Sequence, residues 1–389
     1  MINVERYLKG KGVNVSRSAI PNMKQVFVEP DNFYSLIRKD VKPESLDFLY
    51  SKSIINETKF FRILLKEWFY ACKVRGYIII EMVSNGILDF DMLIKEVKAT
   101  LGNKTRIVLK NKKETPSILV LKKTESALNK NDFIDNWTFG IITNGKRKDW
   151  LDLEINSIHA LGIKNYEIIV CGTYFDRKEK NFRYIHFNKK DDKGWITRKK
   201  NIICENAKYE NIVVMHDKYI FDSKWYEGIK KFGNYFEILS NIIVDESGKR
   251  AGDWITYGTK WANLSRIGLL EYQDWDRHIN IDGGFYVFKK DVWRKVKWDE
   301  SLFWNQGEDI KLSSEFHNAG FVMRFNNFSK CKTLLWRHGN GGIYVFNNKK
   351  LGRIYGRPFG YYKWFLKQMF KKYFWKGIAE DIYKKNIKE

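Results

Sequence analysis

At 389 residues, with 44% apolar and 16% aromatic side chains, the chain has the length and the apolar surface for two hydrophobic cores. Its 70 Lys and Arg outnumber 46 Asp and Glu for a formal charge of +24, yet apolar runs recur throughout, which excludes disorder over the whole chain. No run approaches the ~18 consecutive apolar residues of a spanning helix, and MINVERYLKGKGVNV lacks the apolar core of a signal peptide, so a cytoplasmic protein is expected.

The four cysteines, Cys72, Cys171, Cys204 and Cys331, are far apart and form no CxxC pair, which argues against a disulfide framework or a zinc ribbon. Positive charge collects at the two ends, with an excess of +10 over residues 1–130 and +7 over 351–389. A basic surface attracts nucleic acid, lipid headgroups and nucleotides alike, and a Lys-rich composition alone produces the same excess. With no RNA-binding or helix-turn-helix signature beside the lysines, nucleic acid is the least favoured partner.

Residues 25–123 alternate apolar runs with amphipathic stretches. QVFVEP, LDFLYS, GYIIIEM, TRIVLK and SILVLKK have strand character, and the spacing of Phe60, Leu64, Phe69 and Cys72 predicts a helix within 56–74. Strand, helix, a turn at Arg75-Gly76, strand and an antiparallel-looking pair resemble the second half of a Rossmann-like methyltransferase. VFVEPDNFYSL stands where a glycine-rich cofactor loop would be, so 1–130 is expected to be a degenerate small α/β domain that docks a partner or a second domain.

The polar stretch TESALNKNDFIDN at 124–136 separates this block from a second domain expected over 131–350. From 137 to 350 there is no proline, and FGIIT, YEIIVCG, NIVVMHD, GGFYVFK and FVMRF alternate with helical stretches such as 148–161. That is the pattern of an open, mostly parallel sheet with helices on both faces. The remainder, 351–389, contains GYYKWFLKQMFKKYFWKG, in which Lys363, Lys367 and Lys371 recur on one helical face and Tyr362, Leu366, Met369, Phe370 and Tyr373 on another. Such a basic aromatic helix over 360–377 suits an anionic membrane surface, or packing onto the preceding domain.

Three places in the second block have the punctuation of a site. In NIVVMHDKYIF an apolar strand ends and is followed by His216 and Asp217, which puts a carboxylate at the C-terminal edge of a parallel strand, where open α/β sheets bind ligands. An Asp there caps a turn, or holds a hard divalent cation such as Mg²⁺ or Mn²⁺ against a diphosphate. In NIDGGFYVFKK, Gly283 and Gly284 permit close backbone approach or simply a tight turn. In LFWNQGEDIKLSSEFHNAGF, Trp304 and Gly307 lead into Glu308 and Asp309 at a helix start, either as macrodipole-favoured charges or as a general base beside an acceptor-binding group.

Together and in this order, these motifs resemble the GT-A glycosyltransferases over about 137–345. The resemblance includes an opening strand ending in Thr143-Asn144, the strand YEIIVCG, the basic stretch GWITRKKN, the Gly-Gly strand, and a W-x-x-G-E-D motif close to that of family 7 galactosyltransferase-like and family 2 enzymes. About thirty residues on, CKTLLWRHGNGG places His338 where those enzymes carry a metal-binding histidine.

The resemblance implies that Asp217 and His338 hold Mn²⁺ or Mg²⁺ against the donor diphosphate, that Asp309 deprotonates the acceptor hydroxyl, and that Glu308 hydrogen-bonds the acceptor. It implies a platform for a sugar ring at Trp304, and Thr143, Asn144, Arg198, Asn201, Gly283 and Gly284 on the donor side. Two departures bear on this. Asp217-Lys218-Tyr219 replaces the usual Asp-x-Asp, so one carboxylate is absent and Lys218 stands in the middle, which implies either weaker metal binding or its replacement by a cation of the protein. Cys171-Gly172 occupies the usual position of the base-contacting aspartate, with Asp176 four residues beyond.

The expected function is inverting transfer of a sugar from a nucleotide donor, a UDP-sugar, to a hydroxyl of a glycan, one built on a lipid carrier for cell-surface polysaccharide. The alternative is a non-catalytic GT-A-like scaffold at a membrane surface.

Overall fold

The computed structural model describes residues 4–17, 19–20, 23–26, 41–174, 178–257, 267–275, 278–335, 343–346 and 351–355. His338, Asp176 and the expected helix at 360–377 lie outside the described residues. The protein is a mixed α/β chain that divides into two compact units, one up to Lys130 with a short return near Gln273, the other from Asn131 onward.

The first unit contains β1 (Gly12–Ser16), β2 (Lys24–Gln25), β3 (Leu46–Lys52), α1 (Phe61–Ala71), β4 (Cys72–Met82), α2 (Phe90–Leu101), β5 (Thr105–Asn111) and β6 (Ser117–Lys123). They form a sheet in the order β2-β1-β3-β4-β6-β5, parallel up to β4 and antiparallel from there. The run Ile78, Ile79 and Ile80 is buried on both faces, as a central strand covered on two sides requires. On one face Ile78, Ile80, Leu119 and Leu121 pack with Leu64, Leu65, Trp68 and Leu93 of the two helices; on the other, Ile79 and Val120 pack with Tyr7, Phe48 and Tyr50. Helix α1 is shorter than the predicted 56–74, because the chain from Cys72 onward is already in β4. Asp89 starts α2 by accepting the Met92 N–H at 2.8 Å.

The second unit contains β7 (Asn136–Thr143), α3 (Lys148–His159), β8 (Asn165–Gly172), β9 (Phe182–His186), α4 (Ile196–Asn206), β10 (Asn211–His216), β11 (Tyr219–Phe221), α5 (Trp225–Phe232) and β12 (Ile238–Val244). It continues with β13 (Ile255–Tyr257), β14 (Ile267–Leu270), β15 (Ile279–Asn280), β16 (Phe285–Lys289), α6 (Lys290–Lys295), α7 (Glu308–Asn318), β17 (Met323–Thr333), β18 (Ile343–Phe346) and β19 (Leu351–Tyr355). Its large sheet has the order β11-β17-β12-β16-β10-β7-β8-β9, and a smaller one the order β15-β13-β14-β18-β19.

Strands β10, β7, β8 and β9 run parallel, so Thr143, Gly172 and His216 end at one edge. Strand β16 runs antiparallel to both β10 and β12, a reversal inside the sheet that apolar patterning does not encode. Its first residues therefore lie beside the last residues of β10: Met215 is opposite Phe285, and the His216 N–H donates to the Gly284 carbonyl at 3.0 Å. One face of the sheet is locked by edge-to-face rings of Trp137, Phe139, Phe221 and Trp225.

All four cysteines are buried free thiols. No helix among the described residues is long and apolar enough to cross a membrane.

In the first unit, Lys123 is fully buried and its ammonium donates to Glu44 and to the carbonyls of Phe69 and Cys72, each at 2.8 Å. Lys123→Met takes the cation from Glu44, which keeps only the Ser126 hydroxyl and the Ala127 N–H, and removes a donor from two carbonyls, and should destabilise this unit by about 3 kcal/mol. The expected readout is faster hydrogen exchange at the β4 and β6 amides, with those of β7 and β8 unchanged.

Candidate functional site

The edge where β7, β8 and β10 end is also where β16, α4 and α7 begin, and these starts supply the polar side chains. Gly307 takes φ +75° immediately before α7, a left-handed conformation that suits glycine, and turns the chain so that Glu308 and Asp309 open the helix. The helix is pinned from behind: the Ile281 N–H donates to the Ser313 hydroxyl at 3.2 Å, and His317 Nε2 bonds the Ile279 carbonyl at 2.9 Å.

Asp217 follows β10 and is buried. Its Oδ2 accepts the Thr143 hydroxyl at 2.7 Å and its Oδ1 accepts Arg147 Nη1 at 3.3 Å. The Gly145 N–H donates to the Thr143 oxygen at 3.0 Å, leaving the hydroxyl proton to Asp217. Burial pushes the Asp217 carboxyl upward, against the hydrogen bond from Thr143 and the charge of Arg147. On α3, burial and the field of Asp217 push the carboxyl of fully buried Glu154 well above its usual value. His216 is pushed well below its usual value by desolvation and by Lys200, Lys218, Arg147 and Lys199, and is a neutral imidazole.

The second cluster is built around Lys200. This side chain of α4 is fully buried, donates to the Gly283 carbonyl at 2.8 Å, and lies 3.5 Å from Glu308 Oε1. The rings of Tyr286 and Trp298 lie 4.8 and 5.6 Å from the ammonium and give it a cation-π surround. Burial lowers the Lys200 pKa, opposed by Glu308, Asp309 and Asp282.

Asp309 accepts its neighbour's N–H, from Ile310, at 2.9 Å. Burial first, then the charges of Glu308 and Asp282, raise it to about 7, with Lys200 pulling the other way. Asp282 in turn accepts the Tyr219 hydroxyl at 3.0 Å. A Cβ at position 283 would stand 3.1 Å from Asp309 Oδ2 and 3.2 Å from Glu308 Oε1, and one at 284 would collide with the Tyr219 hydroxyl at 2.5 Å. The glycine pair is thus a close approach of backbone to the acidic pair.

The structure gathers Thr143, Asp217, Gly283, Gly284, Glu308 and Asp309 at one sheet edge. Asn144 is exposed beside Thr143, and its Oδ1 accepts the Lys146 N–H at 3.2 Å. Trp304 is 49% exposed, four residues before α7, with its N–H on the Gly194 carbonyl at 2.9 Å. Arg198 and Asn201 are engaged with other partners. Arg198 bridges Glu205 and Glu300 at 2.8 and 2.9 Å. Buried Asn201 donates to the Trp298 carbonyl and to Glu300, and accepts from Trp293 Nε1 and the Trp298 N–H, so its amide ties α4 to the segment before α7.

Sequence reasoning missed Arg147, Lys199, Lys200, Glu154 and Tyr219. Lys199, whose ammonium donates to the Thr143 carbonyl at 2.7 Å and pairs with Asp191 at 2.6 Å, and Lys200 were visible only as part of a basic run.

The described residues of this edge do not fit a divalent cation. Asp217 already pairs with the Arg147 guanidinium, and among the described residues no group of three or more His, Cys, Asp or Glu side chains is arranged to hold a metal. What the edge can do is hold an anion near Arg147 and accept a proton at Asp309.

No family model matches the chain, and no curated protein matches it. Among solved structures it is similar to a crystal structure of GalNAc-T7 with UDP, GalNAc and Mn²⁺, at 13% identity and a TM-score of 0.38, over 55% of this chain and 45% of that one. The chain thus spans less than half the length of that protein, and a likeness at this TM-score carries no argument.

Removing the buried cation should release the carboxyl it restrains. Lys200→Met is expected to raise the Asp309 pKa above its value of about 7, by about one pH unit or more. Carboxyl ¹³C resonances of aspartate-labelled protein, assigned with Asp309→Asn, read this directly.

Proposed function

We propose that the unit from Asn131 onward is a glycosyltransferase of GT-A type, moving a sugar from a nucleotide donor to an acceptor hydroxyl. The observation that carries the reading is a carboxylate with a pKa of about 7, Asp309, fixed on the first turn of α7 against the Gly283 backbone, on the same sheet edge as Thr143, Arg147 and Asp217. A carboxyl tuned near neutrality is suited to general base catalysis, because it is both available as the base and strong enough to accept the proton.

In this reading the acceptor hydroxyl gives its proton to Asp309 as its oxygen attacks the anomeric carbon. The bond from that carbon to the phosphate oxygen breaks in the same displacement, which inverts the configuration, and the nucleoside diphosphate leaves with the electron pair. Glu308, held beside Lys200, positions the acceptor, and Trp304 offers its ring to a sugar. Asn201 is engaged with Trp298 and Glu300, and Arg198 with Glu300 and Glu205. A UDP-sugar donor, a lipid-linked glycan acceptor and a location at an anionic membrane surface belong to the same proposal.

Asp309→Asn should lower turnover by about 10² to 10⁴-fold while nucleotide affinity, measured by titration calorimetry, stays within a few-fold. Release of nucleoside diphosphate from a panel of nucleotide sugars is the assay, and unchanged turnover in the variant would sink the assignment of the base. Because the carboxylate form is the active one, wild-type turnover should rise with pH and reach half its plateau near 7. That limb should disappear in Asp309→Asn. A protein that binds nucleotide but turns over no donor would instead be the non-catalytic module.

A further inference from the structure

We infer that the cation facing the donor diphosphate is Arg147, and that Asp217 serves as the carboxylate that fixes this guanidinium in place of ligating a metal. The inference rests on the transferase reading and deepens it by assigning the charge that meets the leaving group. Its basis is the pairing of Asp217 with Arg147. The Thr143 hydroxyl donates to one oxygen of buried Asp217 at 2.7 Å and Arg147 Nη1 to the other at 3.3 Å, so the carboxylate already has a guanidinium as its cation.

Arg147 is placed for the task. It sits between the end of β7 and the start of α3, its side chain is 34% exposed, and its guanidinium lies 5.2 Å from the Trp150 ring, which supports one flank. Among the described residues its one polar partner is Asp217. A guanidinium carries five N–H donors in a planar fork that matches phosphate oxygens two at a time, so one donor can anchor to Asp217 while others remain for a diphosphate. The neighbouring charges agree in sign: Lys146 is exposed beside it, and Lys218 occupies the middle of the motif where a metal site would need a compact acidic pair. A divalent ion entering at Asp217 would meet the Arg147 guanidinium at close range, whereas a diphosphate would be attracted by it.

The ligand class is therefore a nucleoside diphosphate, bound through charge-assisted hydrogen bonds and without a metal requirement. Titration calorimetry on the full chain with a panel of nucleoside diphosphates, in EDTA and again in Mn²⁺, tests it. The expected result is one nucleotide whose affinity agrees within twofold between the two conditions and weakens with added salt. Arg147→Met should weaken it by ten- to a hundredfold, Arg147→Lys by less, with the melting temperature of each variant close to wild type. Binding that requires Mn²⁺ in the wild type would overturn the inference while leaving the transferase reading standing, and this comparison needs no variant. Arg147→Met with wild-type affinity would overturn it as well. Binding of no nucleotide in either condition would overturn the transferase reading, and this inference with it.

Discussion

Because β16 enters the large sheet antiparallel to β10, the residues that precede it meet the residues that end β10. The hydrogen bond from the His216 N–H to the Gly284 carbonyl is the seam between them. On one side of it stands Asp217 with Thr143 and Arg147; on the other stand Asp282 and the glycine backbone that Asp309 and Glu308 approach. Had β16 run parallel, its glycines would have been at the opposite edge, and the acidic helix start would have had no backbone to close against. The proposed chemistry therefore depends on a strand direction more than on any single side chain.

The electrostatics of the edge follow from this closeness. Glu308 is buried, with Asp282 and Asp309 half-buried near it, where like charges are costly without a cation. Lys200 is that cation, and the fixed position of its ammonium between the Gly283 carbonyl, Glu308 and two aromatic rings makes it a constant field rather than a mobile counterion. Asp309 keeps the residue of this imbalance and titrates near neutrality. Around Asp217 the balance is the reverse: one buried carboxylate is attended by a hydroxyl and a guanidinium. An anion suits that half and a proton acceptor the other, a division of labour that suits transfer to a hydroxyl with loss of an anionic leaving group.

Much of the framework was legible in the residues. Apolar runs located β3, β4, β6, β7, β8, β10 and β16, since a strand buried on both faces is written as continuous Ile, Val and Phe. Strand β12 passed unnoticed because EILSNIIV is interrupted by Ser240 and Asn241, and β9, β11 and β15 are too short or too polar to stand out. Asp217 and the Glu308-Asp309 pair were recognisable because each follows a clear local boundary, a strand end or a glycine. Arg198 and Asn201 had the right residue types in a basic stretch, but which of its side chains faces the edge depends on how α4 is rotated, and it is Lys199 and Lys200 that do.

The sequence by itself determined the α/β class, the polar punctuation of the second block and the identity of its carboxylates, because these rest on local periodicity and on residues adjacent in the chain. Only the tertiary structure decided that Lys200 neutralises Glu308 from 108 positions away, that Arg147 holds Asp217 from 70 away, and that β16 is reversed. Such pairs are set by strand direction, register and helix rotation. These quantities emerge when the whole sheet closes over its core, and no short stretch of residues records them.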